Sequence, residues 1–586
     1  MEFNDLKTRN ELADFLRIPR KKISYLLYKN DINAFYMSFE IDKKNGGVRN
    51  INAPLAELKD IQRKLAVALY NHKKKNQKKK NNLSHAFEKE KSIITNAKIH
   101  RNKRFVLNID LENFFESFHF GRVRGFFLKN NNFLLSSEVA TVVAQLTCYK
   151  GTLPQGAPTS PIITNLICEI LDQRLLKIAK THKLNYTRYA DDLTFSTNDA
   201  NFLEKQSEIY GLLSRELIRA GFKVNEKKRR LQIRDSRQVV TGLVVNKKVN
   251  VNRTFYKETR AMAHQLYKEG KFEINGKVAT LNQLEGRFAF INQLTRYNNK
   301  LDGENHNFNN LSSREIQYQM FLFYKYFYAN LKPIIVTEGK TDIVYLKAAL
   351  KNLYNEYPNL ISKNSDGSFE FKVSFLNKTK RLAYFLGIFQ DGGSALKNIY
   401  NFFEGKTKST PSYLNYFKQI SNTLPKNPVI LMFDNEIKSG KNKPIGNFIN
   451  YAKIDEEKKN ILQEKCMVNI IDNLYLLTVP LIDGKPECDI EDLFGKEVLS
   501  QKIRGREFCK KDKYDYSKYY GKEIFSKYIL DNYSDIDFNK FRPVLNNINN
   551  IMDVYINGLS DTGGKLEAKS MDKSNENRVF QKVSLP

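Results

Sequence analysis

Two sets of carboxylates carry the chemistry that this sequence offers. In the first, Asp110 closes the β-prone run RFVLNIDL (104–111), and Asp191 and Asp192 sit side by side in RYADDLTFS (188–196). A solvated turn tolerates aspartate, but three converging carboxylates repel one another unless a hard cation takes their oxygens as ligands. Two such cations would activate an attacking hydroxyl and stabilise a departing pyrophosphate, which is the chemistry of phosphoryl transfer. In the second set, Glu338 follows the apolar run in NLKPIIVTEGKTDIVYLKAALKNL (330–353), with Asp342 just after it. Asp434 and Glu436 end LMFDNE (431–436), and Asp489, Glu491 and Asp492 lie in CDIEDLF.

The elements around these acids should position them. RFVLNIDL is a buried strand expected to end on Asp110. GTLPQGAPTSP (151–161) is a Gly- and Pro-punctuated loop, and residues 163–180 form an amphipathic helix. RYADDLTFS is the tip of a hairpin. Residues 136–147 and 202–220 read as helical, and VVTGLVVN (239–246) as a strand interrupted by Thr-Gly. KKKNQKKK (73–80) is expected as an exposed loop. At Pro333 a new strand–turn–helix unit opens, with its helix starting near Thr341. If the strands ending at Glu338 and Asp434 are parallel neighbours, both acids face one sheet edge, where open α/β sheets place their sites. The polar residues after about 558 are expected to be disordered.

The chain has 586 residues, too many for one core. Residues 1–330 hold 57 Lys and Arg against 32 Asp and Glu, a net of +25; the rest hold 39 against 32, a net of +7. That concentration of positive charge fits a nucleic-acid partner. The five cysteines are scattered and form no CxxC, which fits a reduced compartment without a disulfide frame or zinc site. No signal peptide and no membrane-spanning run is recognised, so a cytoplasmic, bacterial setting with no membrane partner is expected.

The order strand-Asp, FF, PQGAPTSP, helix, YADD resembles the palm of reverse transcriptases. The resemblance implies a right-hand polymerase of fingers, palm and thumb, with two Mg²⁺ ions on Asp110, Asp191 and Asp192. It also implies nucleotide-binding roles. Phe115 would screen the sugar 2′ position, Gln155 and Gly156 would approach nucleotide and template, and Arg49 in GGVRNINAP would meet the incoming triphosphate; Lys227 or Lys228 would be the later lysine. Asn96, Ala97 and His100 in NAKIH fit the NAxxH pattern of retron reverse transcriptases, and Val240, Thr241 and Gly242 fit their VTG pattern. The retron resemblance covers about residues 1–320. It implies extension of a 2′-OH on the protein's own noncoding RNA, to give branched multicopy single-stranded DNA (msDNA) from dNTPs.

EGKTD at Glu338 and DNE at Asp434 resemble a Toprim domain, an α/β fold with a mainly parallel sheet, though its second pattern is DxD. DGGSALKN (391–398) would be the loop of its nuclease-type branch. The resemblance implies Glu338 as general acid/base, Asp434 and Glu436 on one or two Mg²⁺ ions, and Asp342, Asp489, Glu491 and Asp492 as accessory acids. Together the two resemblances imply a multidomain α/β chain: fingers and N-terminal region (1–100), palm (101–245), thumb (246–329), Toprim-like domain (330–500) and a helical extension with a disordered tail (501–586). The expected function is a retron polymerase fused to a Toprim nuclease effector acting in anti-phage defence. Two alternatives stand beside it: a group II intron-like or diversity-generating reverse transcriptase, and a polymerase fused to an inactive nucleic-acid-binding scaffold. The nuclease substrate and the assembly state, a homo-oligomer included, stay open.

Overall fold

The computed structural model describes residues 2–43, 46–76, 83–389, 393–407, 409–437, 443–511 and 513–561. It divides into two units, residues 1–253 and 254–586.

In the first unit, strands β1 (Tyr36–Asp42) and β2 (Val48–Pro54) form an antiparallel hairpin, followed by the long helix α1 (Ala56–Asn76) and the short helix α2 (Ile93–Ala97). Strand β3 (Phe105–Glu112) precedes helices α3 (Ser137–Thr147) and α4 (Ser160–Thr181), then strands β4 (Asn185–Tyr189) and β5 (Asp192–Thr197). Helix α5 (Phe202–Arg219) leads to short strands β6 (Lys223–Val224), β7 (Arg230–Ile233), β8 (Val239–Val240) and β9 (Leu243–Val244). The antiparallel sheet runs β4-β5-β3, with β6 and β7 sharing the other edge of β3. Leu107, Ile109 and Leu111 of β3 meet Leu193 and Phe195 of β5 and Leu171 and Leu175 of α4 in one core. That period-two burial fixes the register, because a one-residue slip would turn every apolar side chain to the opposite face.

Three local expectations change. Strand β3 continues past Asp110 to Glu112, because Leu111 and Glu112 still find partners in β6. The lysines at 73–75 extend α1 rather than open a loop; their ammonium groups sit at the helix C-terminus, where cations are favoured. Residues 77–80 of that lysine run lie outside the described residues. The Thr-Gly interruption at 241–242 turns the chain back into the β8–β9 hairpin, with positive φ at both Thr241 and Gly242, as a tight I′ turn requires.

In the second unit, helices α6 (Arg253–Glu269), α7 (Leu281–Leu301) and α8 (Ser313–Phe323) precede β10 (Ile334–Thr337) and α9 (Lys340–Asn352). Then come β11 (Ser374–Phe375), α10 (Lys380–Leu386), β12 (Val429–Phe433), β13 (Met467–Ile471) and β14 (Leu474–Thr478). Helices α11 (Lys522–Asp531) and α12 (Arg542–Asp561) end the described chain. The sheet runs β11-β10-β12-β14-β13, parallel except for β13 at one edge.

Its central strands β10, β12 and β14 are buried on both faces, as parallel strands usually are. Ile334 and Val336, Val429 and Leu431, and Leu474 and Leu476 enter a core with Leu266 of α6, Phe288 of α7 and Phe321 of α8. Ile335, Ile430, Met432 and Leu477 enter the opposite core with Tyr345 and Leu346 of α9, Phe525 and Ile529 of α11 and Leu545 and Ile548 of α12. Helix α12 runs through the first part of the stretch expected to be disordered; residues 562–586, and Asp391 with Gly392 of the DGG loop, lie outside the described residues. Among the described residues no helix is long and apolar enough to cross a membrane.

Candidate functional sites

The first site forms where β3 meets the β4–β5 hairpin. Asp110 pairs in register with Asp192, and the two-residue turn Ala190–Asp191 connects Tyr189 to Asp192. The backbone N–H of Leu111 donates to the Asp191 carbonyl at 3.1 Å, pinning the turn to β3. Ala190 holds φ at 57°, a left-handed conformation costing an ordinary residue about 1–2 kcal/mol. Burial, the adjacent Asp191 and facing Asp110 push the Asp192 carboxyl up to about 7, with Lys228 acting against the shift. Burial also raises Asp191, as does Asp110, and the charges of Lys228 and Arg49 oppose this. Lys228 donates to both Asp110 oxygens at 3.0 and 3.2 Å, which selects it over Lys227 as the lysine at this site.

The loop around Gln155 packs against β2. The Asn52 N–H donates to the Gln155 carbonyl at 2.8 Å. Gly156 has φ +127°, and a Cβ there would stand 2.9 Å from both the Asn52 oxygen and an Ile51 methyl. Only glycine allows this approach. Arg49 is exposed on β2. Phe115 is half-buried, its ring 5.5 Å from Phe114 and 6.4 Å from Phe87.

The two motif patterns meet behind the hairpin. His100 is fully buried, hydrogen-bonded through Nδ1 to Ser196 Oγ and through Nε2 to Thr187 Oγ1, both at 2.7 Å. Burial drives its pKa down to about 3, so the ring is neutral at working pH. Thr187 in turn donates to Asn96 Oδ1 at 2.6 Å, and Ala97 is wholly buried beside it. Val240 is buried too, and Thr241 Oγ1 donates to the Ile93 carbonyl of α2 at 3.3 Å. Asn96, Ala97, His100 and Val240 therefore offer no surface to RNA; of the six, the Thr241–Gly242 turn is the exposed part. Asn96 and His100 buttress Thr187 and Ser196 of the hairpin that carries the acids, and Thr241 ties the β8–β9 turn to α2.

The second site forms at the C-terminal edge of the parallel sheet. Glu338 follows β10 and Asp434 follows β12, so parallel pairing brings both acids to one edge. Burial, then Asp342 and Glu436, push Glu338 up to about 7, and its buried Oε1 has no hydrogen-bond partner among the described residues. Burial raises Asp434 well above the usual carboxylate range, joined by Asp342, Glu338, Glu491 and Asp489. Asp342 accepts from the Gly339 N–H at 2.8 Å and Asp434 from the Ile490 N–H at 3.1 Å. Asp489 and Asp492 cap a short helical turn, and Lys510 binds both, at 2.7 and 2.8 Å.

The D-N-E departure has a structural reading. Asn435 exchanges backbone hydrogen bonds with Cys488 and donates its side chain to the Val479 carbonyl at 2.8 Å, tying CDIEDLF to the sheet edge. Glu436 is held by Lys443 at 2.7 Å. Sequence reasoning missed the lysines around these acids. Lys522 pairs with the fully buried Glu491 at 3.0 Å and Lys378 donates to the Glu338 carbonyl at 2.8 Å. Lone lysines in a lysine-rich chain carry no local signal.

Among the described residues no three His, Cys, Asp or Glu side chains already form a metal-coordinating set. Both clusters nonetheless suit a hard divalent cation. Their donors are oxygens, and burial together with neighbouring carboxylates pushes Asp192 and Glu338 each up to about 7.

Residues 41–251 match the reverse transcriptase (RNA-dependent DNA polymerase) family model. The chain is 35% identical over 286 residues to the retron Ec86 reverse transcriptase of Escherichia coli, covering 48% of this chain and 83% of that protein. It is 34% identical to the retron Mx65 reverse transcriptase of Myxococcus xanthus, covering 44% of this chain and 61% of that one. Against retron Mx162 reverse transcriptase of the same organism the figures are 35%, 49% and 64%. This chain therefore belongs to the retron reverse transcriptases, RNA-directed DNA polymerases.

Proposed function

We propose that this chain extends a 2′-OH on its own retron noncoding RNA, using dNTPs, to make branched msDNA. The observation that carries this reading is the joining of the NAxxH and VTG segments behind the acid-bearing hairpin. Asp110, Asp191 and Asp192 would hold two Mg²⁺ ions, which supply charge neutralisation and Lewis-acid polarisation at the transferring phosphoryl group. Arg49, whose charge opposes the raised proton affinity of Asp191, would meet the triphosphate oxygens. Lys228 keeps Asp110 compensated. Gly156 lets the Gln155 loop sit flush on β2, and Phe115 would fill the space beside the sugar. The test is the nucleic acid that co-purifies with the protein: a 2′–5′ branched RNA–DNA molecule is expected, and a linear RNA alone would overturn the branch.

The second unit is read as a Toprim-like nuclease effector in anti-phage defence. Glu338, buried and with raised proton affinity, would be the general acid/base. Asp434, with Glu436 or Asp342, would hold one or two Mg²⁺ ions. Glu338→Ala is expected to abolish cellular toxicity and phage protection while DNA synthesis continues; unchanged toxicity would refute the effector role. The competing reading, an inactive nucleic-acid-binding scaffold, draws on Lys443 and Glu436, which already neutralise each other. It predicts protection that survives Glu338→Ala.

A further inference from the structure

Arg188, two residues before the Ala190–Asp191 turn, is fully buried and so is Asp172 of helix α4. The guanidinium forms a fork on that carboxylate, Nε to Oδ1 and Nη2 to Oδ2, both at 2.8 Å. Its remaining nitrogen, Nη1, points to Asn165 Oδ1 at 3.2 Å and the Ala190 carbonyl at 3.4 Å. Asp172 also accepts from Tyr186 at 2.8 Å. The Arg188 backbone is bracketed by Leu83 and His85, and Asn165 by Ser84 and the Ala86 carbonyl. Through its guanidinium and its backbone, Arg188 thus ties α4, residues 83–86 and the acid-bearing turn together.

The pair is weak evidence for stability, because well-packed apolar residues often replace a buried ion pair at little or no loss. The fork explains something else. Ala190 is held left-handed without being glycine, and such a conformation persists only where its surroundings over-determine it. We propose that Arg188 and Asp172 are positioning residues for polymerisation: they clamp the Ala190–Asp191 turn and so set the directions in which Asp191 and Asp192 leave it.

The test uses the full-length protein on a primed RNA template, below each variant's melting temperature. Arg188→Lys keeps the charge but lacks the planar fork that serves Asp172, Asn165 and Ala190 together. It is expected to lower kcat about 10- to 100-fold, the scale of a small misplacement of reacting groups. The KM for dNTP should stay near the parent value and the half-saturating Mg²⁺ concentration should rise. Adding Ala190→Gly, which adopts the left-handed turn without a Cβ penalty, should recover most of the lost kcat. The double variant Arg188→Met with Asp172→Leu should regain the parent melting temperature and stay slow. No rescue by glycine, or activity that returns with stability in the apolar double variant, would overturn the proposal. If Arg188→Lys does not fold, Asp172→Asn keeps the side-chain shape and is read by the same rescue.

Discussion

Asp110 and Asp192 face each other across adjacent antiparallel strands, and no covalent neighbour of either forces the meeting. The register is set by Leu107, Ile109, Leu193 and Phe195 in the core beneath, so the packing of apolar side chains places the acids. The ladder that aligns them also leaves Asp192 with a proton affinity that a cation would relieve.

Replacing an acid of this cluster should stop the chemistry without unfolding the protein. Asp191→Asn is expected to lower DNA synthesis by about 10²–10³-fold or more, the range seen when a group stabilising transition-state charge is lost. RNA binding should stay near the parent value. Primer extension and RNA filter binding on the same preparations check this.

The raised carboxyl of Asp192 gives a pH signature. Its folded pKa, about 7, lies above the ordinary 3.8, so the folded state favours the proton. That stability is complete below about pH 4 and is lost as pH rises through about 7. Mg²⁺ competes with the proton, so its gain in Tm should be larger at pH 8 than at pH 5.5. Thermal melts of parent and Asp192→Asn, with and without Mg²⁺, read the difference, because the variant should lose this site's share of the gain.

His100 carries the opposite sign. Its folded pKa, about 3, lies below the ordinary 6.5, so its contribution is complete above about pH 6.5 and is lost as pH falls toward 3. His100→Ala would leave Thr187 and Ser196 without their ring partner, at about 1–3 kcal/mol by the usual cost of unsatisfied buried groups. Denaturant melts at pH 7.5 should show that loss, and the variant's acid-side slope should be shallower than the parent's.

Gly156→Ala should act on nucleotide use. The added methyl meets the Asn52 oxygen and Ile51, so the loop or β2 must move, at roughly 1–3 kcal/mol of strain. Arg49 lies three residues along β2 from Asn52. The expected result is a raised KM for dNTP with RNA affinity unchanged, measured by steady-state extension at varied dNTP.

Residues 520–552 are expected to be indispensable to the sheet. Phe525, Ile529, Leu545 and Ile548 cover the face that includes Ile430 and Leu477. A chain ending at residue 500 would expose that face and lose Lys510 and Lys522 beside the acids. Limited proteolysis should find the second unit degraded in that truncation, whereas Lys522→Met in the full-length chain should leave it resistant.

The sequence by itself determined the local part of both sites. The apolar runs before Glu338 and Asp434 make strands that deliver acids to their ends, RFVLNIDL makes a strand that carries Asp110 within it, and Ala-Asp-Asp between β-prone residues makes a hairpin tip. These signals are local because strand periodicity and turn preference act over a few residues. The tertiary structure alone decided what surrounds them. It put Asn96 and His100 behind Thr187 and Ser196, and Thr241 onto the carbonyl of Ile93. It joined Arg188 to Asp172 and brought Lys522 to Glu491. None of these contacts has a period or a composition to read. They are set by which helix covers which face of a sheet, a long-range packing outcome that spans tens of residues of chain.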